Sequence, residues 1–227
     1  DHNQLAGSWE CLQKTRGTGI RCLTGVELDA QDFGINFHIL GYGIDLENGQ
    51  FQAFVEANRL RLERVNELLI EKMKHAGEPV SLDEYRQFSY DRRLGGWKAL
   101  HYFAAKDLVA NFKQGFSMYA RYHHDYCCVG FPPVREIVRQ IHAAKGKAIL
   151  AHPGKVIPAT KRSEVLAAVM AEGLDGIECW YPAQDPDTTQ ICINYCRKHD
   201  LMMTSGADCH GGFEKTQIGQ LEIPISQ

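Results

Sequence analysis

Between Pro132 and Ser205 the chain repeats one pattern three times, an amphipathic helix followed by a short apolar strand, and this constrains the fold more than any other feature. Pro132-Pro133 opens the first helix, with Val134, Ile137, Val138 and Ile141 at helical spacing and Pro133 suited to its first turn. Gly146 breaks that helix, and Lys147-Ala-Ile-Leu-Ala151 reads as a short buried strand. A second helix runs from about Ser163 to Glu172 and stops at Gly173, ahead of the strand Asp175–Cys179. In the third unit Asp185 caps a helix that has Pro186 at its first position and reaches about His199; Leu201–Ser205 is the strand after it. Such alternation predicts an α/β layer with parallel strands.

The residues just past each strand matter as much. After the first come His152-Pro153-Gly154-Lys155, after the second Trp180 and Tyr181, and after the third Gly206-Ala-Asp208-Cys-His210-Gly-Gly. Polar and glycine-rich residues thus collect beyond the C-terminal strand ends, where parallel sheets and α/β barrels place their active sites.

The earlier part of the chain fits the same scheme. Arg21–Leu28 is a strand candidate ending near Glu27, and Ile35–Tyr42 is another, with His38 inside it. Residues 51–75 form a long amphipathic helix with Phe54, Val55, Leu62, Val65, Leu69 and Met73 down one stripe. From 77 to 131 the pattern changes: Ser81-Leu-Asp-Glu84 is a capping-box start to a helix, and further helical stretches come after it without a clear strand. We therefore expect residues 1–76 and 132–227 to build one α/β domain, and residues 77–131 to be a helical insertion over its active-site mouth.

The residues at the strand ends carry the chemistry. Asp208-Cys-His210 offers two ligands two residues apart, which in extended backbone share a face. His152 comes directly after a strand, Glu27 and His38 belong to two other strands, and Asp1-His2 opens the chain. Imidazoles and carboxylates from separate strand ends form the donor set that Zn, Mn or Fe takes. A carboxylate such as Glu27 suits two close cations, which together can clamp the attacking and leaving oxygens of phosphoryl transfer. Taken singly, a histidine after a strand is more often a hydrogen-bonded structural residue; the conjunction is what points to a metal centre.

Composition narrows the classes further. A net charge of −3 across 227 residues gives no support to a long nucleic-acid interface, and no apolar run is long enough to span a bilayer. The eight cysteines, including the adjacent Cys127-Cys128, lack the spacing of a disulfide framework. We expect them to be reduced and mostly buried, in a cytoplasmic protein. The chain opens on Asp1-His2-Asn3 without an initiator methionine, so residues upstream are expected.

The strings DHN at 1–3, GVEL at 25–28, HILGYGID at 38–45, AHPGK at 151–155 and GADCHG at 206–211 resemble successive motifs of the PHP (polymerase and histidinol phosphatase) family, in the family's order and over nearly the whole chain. The resemblance implies a distorted (β/α)7 TIM-like barrel holding up to three divalent metals, with the first strand missing because the family's opening His-x-His motif would precede residue 1. It implies that Glu27 bridges two metals with Asp208 on the first, that His38 and His152 complete the second, and that His2 and His210 serve the third, Asp1 supporting His2 from behind. Glu27, His152, Asp208 and His210 are the expected catalytic set.

Within the family, the HILGYGID string and the helical insertion resemble stand-alone phosphoesterases acting on nucleotides or short RNA ends. Those often carry an Arg-Pro-His motif in the insertion; this chain has Arg92-Arg93-Leu-Gly-Gly-Trp97-Lys98 there, without that histidine. Arg93, Lys98 and, beyond His152, Lys155 are candidate phosphate-binding cations, set against the commoner role of such residues as solvated charges. The expected reaction is attack of a metal-activated water on a small phosphate ester. The alternatives are amidohydrolase-type attack on a carbon centre, which the same residues would serve, and a catalytically silent PHP scaffold. His123-His124-Asp125 reads as a loop, Cys192-x3-Cys196 lacks the second ligand pair a zinc site needs, Cys209 is not required as a nucleophile, and Trp180 and Tyr181 fit either a pocket wall or a core edge.

Overall fold

The computed structural model describes residues 2–213, 215–221 and 223. In chain order its helices are α1 (Ala6–Thr15), α2 (Gly49–His75), α3 (Leu82–Gln87), α4 (Lys98–Ala105), α5 (Phe116–Arg121), α6 (Val134–Ala143), α7 (Pro153–Val156), α8 (Arg162–Met170) and α9 (Pro186–His199). Its strands are β1 (Gly25–Asp32), β2 (Ile35–Tyr42), β3 (Lys147–Leu150), β4 (Gly176–Trp180) and β5 (Met202–Ser205). The fold is mixed α/β. Among the described residues the sheet is open, with the five strands side by side in sequence order.

The repeats of the C-terminal half form as their spacing predicts. In α6 the stripe Val134, Ile137, Val138 and Ile141 is buried, and the Asp185 carboxylate accepts from the Thr188 N–H to cap α9. Strands β3, β4 and β5 run parallel. The N-terminal half differs in one respect. The first strand begins at Gly25 and continues past Glu27 to Asp32, turning back into β2 through Phe33 and Gly34 alone. Both turn residues have positive φ, 53° and 70°, the backbone that a two-residue hairpin needs to match strand twist. Phenylalanine is an unusual occupant there, so the turn is not announced by composition. The result is an antiparallel pairing of β1 with β2, and of β2 with β3.

The chain divides into two compact units. The first takes residues 1–61, 130–206 and 221–227 and contains the sheet. Its core is built from Val26, Leu28 and Ala30 of β1, Phe37 and Ile39 of β2, and the apolar faces of α6, α8 and α9. Leu5, Trp9 and Leu12 pack against this core from α1 and its approach.

The second unit takes residues 62–129 and 207–220. No strand lies within it among the described residues. Ser81 caps α3 by accepting from the Glu84 N–H, as the capping box predicts. An aromatic stack runs through the unit: His101 lies between Tyr90 and Phe112, with ring centroids 4.2 and 4.4 Å away, and Phe112 stacks on Phe213 at 5.8 Å. Gly95, at φ 71°, lets that backbone press against the His210 carbonyl, where a Cβ would have no room. Among the described residues no helix is long and apolar enough to cross a membrane.

The cysteines depart from expectation. All eight are free, but Cys179, Cys192 and Cys196 alone are buried; Cys11 and Cys128 are exposed and the other three half-buried. The buried three belong to the first unit's core, where α9 meets β4 and apolar packing suits a thiol.

Candidate metal centre

The hairpin register assembles the site. Glu27 and Asp29 are two residues apart on β1 and share a face of the sheet, and Asp29 lies directly opposite His38 on β2. Across the other edge of β2 the Ala151 N–H donates to the His38 carbonyl at 3.0 Å, which sets the next residue, His152, beside His38. His2 is brought up by a parallel bridge to Glu27, and the Asn3 N–H donates to the Glu27 carbonyl at 2.7 Å.

Three imidazoles therefore converge on one carboxylate. Glu27 lies 3.3 Å from His2 Nδ1, 2.8 Å from His38 Nδ1 and 3.2 Å from His152 Nε2. His38 Nδ1 and His152 Nε2 are themselves 3.2 Å apart. The Glu27 side chain is 13% exposed and that of His2 26%, so solvent and a small ligand can reach them. Tyr181 borders the cluster, its ring centroid 5.6 Å from that of His152, whereas Trp180 packs against the core.

Behind this cluster lies Asp29, a carboxylate that no sequence pattern singled out. It is fully buried and surrounded by donors: His2 Nε2 at 2.9 Å, Asn3 Nδ2 at 2.6 Å, Asn36 Nδ2 at 2.7 Å and His38 Nε2 at 3.4 Å. Asn58 of α2 joins in by donating to both Asn3 Oδ1 and the Asp29 carbonyl at 2.9 Å. His2 and His38 thus each bridge the two acids, with Nδ1 toward Glu27 and Nε2 toward Asp29. The signal was present as an acid two residues after Glu27, but it carries meaning only once β1 is known to extend to Asp32.

The electrostatics arise from this packing. Burial works against the charged form of His2, yet the carboxylates of Asp29 and Glu27 outweigh it and hold the imidazole well above the ordinary histidine range. Burial likewise opposes ionisation of Glu27, and the imidazoles of His2 and His38, with hydrogen bonds from His152 and His2, overcome it and hold the carboxyl well below its usual range. Asp29 is similar: against burial, His2, His38 and Asn36 bring it down to about 2. Tyr42 shares the β2 face of His38; burial, with Glu178 and Glu27 nearby, pushes its phenol up to about 12.

His152 is held in a conformation that few residues adopt, with φ 25° and ψ 59°. Its N–H donates at 2.9 Å to Glu178, a buried carboxylate on β4. Gly206, just after β5, is needed for the same reason, because a Cβ there would collide with Glu178 Oε1. We expect Gly206→Ala to destabilise the protein by about 1–3 kcal/mol through overpacking. Urea denaturation measures this, and an unchanged midpoint would mean that Glu178 yields freely and is no strut for His152.

Asp208 and His210 belong to the second unit, where the backbone is not extended as expected: Asp208 has φ 48°, and His210 Nδ1 turns back to within 2.8 Å of the Asp208 carbonyl and 3.5 Å of its carboxylate. Arg93 is exposed and paired with Asp91, and Lys98 donates to Glu63 and the Arg86 carbonyl while covering the Tyr85 ring at 4.4 Å. Lys155 is exposed on α7. His124 is committed to the Val65 carbonyl, in keeping with a loop reading of that stretch. Asp1 lies outside the described residues.

The donor set of the first unit fits a divalent cation. Three imidazoles and an ionised carboxylate crowd together as ligands do, and His152 Nδ1 is buried without a hydrogen-bond partner among the described residues, a cost that a purely structural histidine would avoid.

The fold is a mixed α/β fold shared with a solved metal-dependent phosphoesterase and a solved amidohydrolase. No family model matches the chain. It is 26% identical over 212 residues to a 5'-3' exoribonuclease of Haemophilus influenzae, covering 92% of this chain and 77% of the relative. It is 24% identical over 232 residues to a phosphoribosyl 1,2-cyclic phosphate 1,2-diphosphodiesterase of Eggerthella lenta, covering 99% and 86%. Among solved structures, a candidate metal-dependent phosphoesterase of Bifidobacterium adolescentis superposes with a TM-score of 0.78 at 21% identity, over 97% of this chain and 79% of that one. An amidohydrolase of Chromobacterium violaceum, solved with sulfate and no metal, superposes at 0.75 with 22% identity, over 92% and 75%. The chain is accordingly a distant homologue of PHP-family phosphoesterases.

Proposed function

We propose that this protein is a metal-dependent phosphoesterase of PHP type, its open sheet being part of that family's distorted barrel, and that it hydrolyses a nucleotide or the end of a short RNA. The observation that carries the reading is the convergence of His2, His38 and His152 on Glu27, in a chain whose homologues are named for phosphodiester cleavage. These four residues would hold Mn, Zn or Fe. A cation bound there supplies Lewis acidity, making water a better nucleophile near neutral pH and offsetting negative charge on the phosphoryl oxygens. Asp208 and His210 are further ligand candidates by resemblance.

The chain's own residues have separable tasks. Glu27 stays ionised through the neutral range and supplies the charge that draws a cation in. Asp29 keeps the His2 and His38 rings turned so that Nδ1 faces Glu27. Glu178 fixes the backbone of His152. Tyr42 keeps its proton at neutral pH and so would remain a hydrogen-bond donor. The same cluster would serve attack on a carbonyl, and the Chromobacterium amidohydrolase shares the fold; the sequence relatives favour phosphorus.

The test is phosphate and nucleotide release from mononucleotides and short 5'-phosphorylated RNA with and without Mn²⁺. Release should require the metal and fall by at least about 100-fold in His152→Ala, as loss of a metal-site histidine implies. Absence of release from metal-loaded protein on every substrate would sink the phosphoesterase reading and turn attention to carbon-centre esters and amides.

A further inference from the structure

The thiols of Cys11 and Cys22 lie close together. Cys11 is on α1 and exposed, Cys22 is half-buried three residues before β1, and their sulfurs are 3.5 Å apart. A disulfide needs about 2.05 Å, a gap that small side-chain rotations on an exposed helix and loop can close. Between Cys11 and Cys22 run the end of α1, to Thr15, and a connection, residues 16–21, that includes Gly17 and Gly19 at positive φ and an exposed Ile20. Closing the pair would therefore tether a loop without straining an element.

That connection joins two parts of the candidate centre. His2 lies just before α1, and Glu27 lies at the third position of β1. One tie between them already exists: Ser8 Oγ donates to the Gly25 carbonyl at 2.6 Å and accepts from the Gly25 N–H at 2.8 Å. A covalent link between Cys11 and Cys22 would add a second.

We propose that Cys11 and Cys22 form an oxidisable pair, a disulfide site that locks α1 to the approach of β1. With a low-molecular-weight disulfide such as oxidised glutathione as the oxidant, the Cys11 thiolate attacks one glutathione sulfur and expels the other as a thiolate. The Cys22 thiolate then attacks the Cys11 sulfur of the mixed disulfide and expels the second glutathione. Two protein thiols lose their protons and two electrons pass to the glutathione disulfide, which leaves as two reduced molecules. An exposed pair of this kind has the more oxidising potential of a labile, regulatory disulfide, so it stays reduced until the thiol pool is oxidised.

The experiment treats the folded protein with a series of glutathione redox buffers, then applies acid quenching, thiol counting under denaturing conditions and non-reducing tryptic mapping. The chain has eight cysteines, so the count should fall from eight to six (eight less two). Trypsin cuts after Lys14, Arg16 and Arg21, so the peptide ending at Lys14 should appear joined to the peptide 22–59, with nothing else cross-linked. Cys11→Ser and Cys22→Ser should each keep every remaining thiol apart from a reversible glutathione adduct on the surviving partner. The proposal is overturned if both thiols stay free across the series, if each carries glutathione without a link between the Cys11 and Cys22 peptides, or if oxidation joins other cysteines instead. None of these readouts depends on metal or on hydrolytic activity.

Discussion

Replacing Asp29 by alanine is expected to cost about 3–5 kcal/mol of folding stability, the range for removing one partner of a buried charged network. The carboxylate is fully buried, is hydrogen-bonded by the His2 imidazole and two asparagine amides, and has the His38 imidazole 3.4 Å away, so its loss strands three donors and removes the charge facing His38. Urea denaturation of the metal-free protein reads the effect, and a loss below about 1 kcal/mol would show that water or a rearranged side chain replaces the carboxylate. Asp29→Asn should fall between, at about 1–3 kcal/mol, because it keeps the shape and one acceptor.

The same residue sets a pH dependence with a definite sign. The folded-state pKa of Asp29 is depressed to about 2 from 3.8, so its stabilisation is complete above about pH 4 and is lost as pH falls through about 2. Glu27 is depressed too and acts in the same direction. His2 acts oppositely: its folded-state pKa is raised, so its contribution is full below the ordinary histidine value of 6.5 and is lost as pH rises through the raised one. Without metal, stability should thus decline on both the acid and the alkaline side. A cation must displace the His2 proton, so metal affinity should increase with pH over that alkaline range.

The second large effect is expected on metal binding. Glu27→Gln retains the volume of the side chain and removes the charge on which three imidazoles converge. Its Mn²⁺ affinity should fall by about 100-fold or more, roughly 2.7 kcal/mol, measured by titration calorimetry at fixed pH. Unchanged affinity would assign the cluster a structural role, with Glu27 serving only to pair the histidines. Together the two variants separate roles: Asp29→Asn should weaken folding more than Glu27→Gln does, and Glu27→Gln should weaken metal binding more.

The sequence was most legible where local periodicity and capping suffice. The stripe Val134, Ile137, Val138 and Ile141, the Asp185-Pro186 start and the Ser81 cap each formed as read, because a helix face or cap depends on residues within one or two turns. Glu27, His38 and His152 were also recognisable, as polar residues on or just after apolar strands. Asp29 was not. It falls just past the strand end read from the sequence, and only the positive-φ hairpin turn at Phe33 and Gly34 extends β1 far enough to put it opposite His38. The exposure of Cys11 and Cys22 was likewise hidden, since cysteine by itself reads as a small buried hydrophobe.

By itself, then, the sequence determined the helix faces, the caps and the parallel α/β repeat, and it offered the candidate ligands, all of which depend on side-chain chemistry and near-neighbour spacing. Tertiary structure decided which donors meet. The antiparallel register sets Asp29 across from His38, the bond from Ala151 to His38 sets His152 beside it, and the bridge at Glu27 draws in His2. Each of these joins residues distant along the chain, and a one-residue slip in any strand would turn the same side chains to the opposite face.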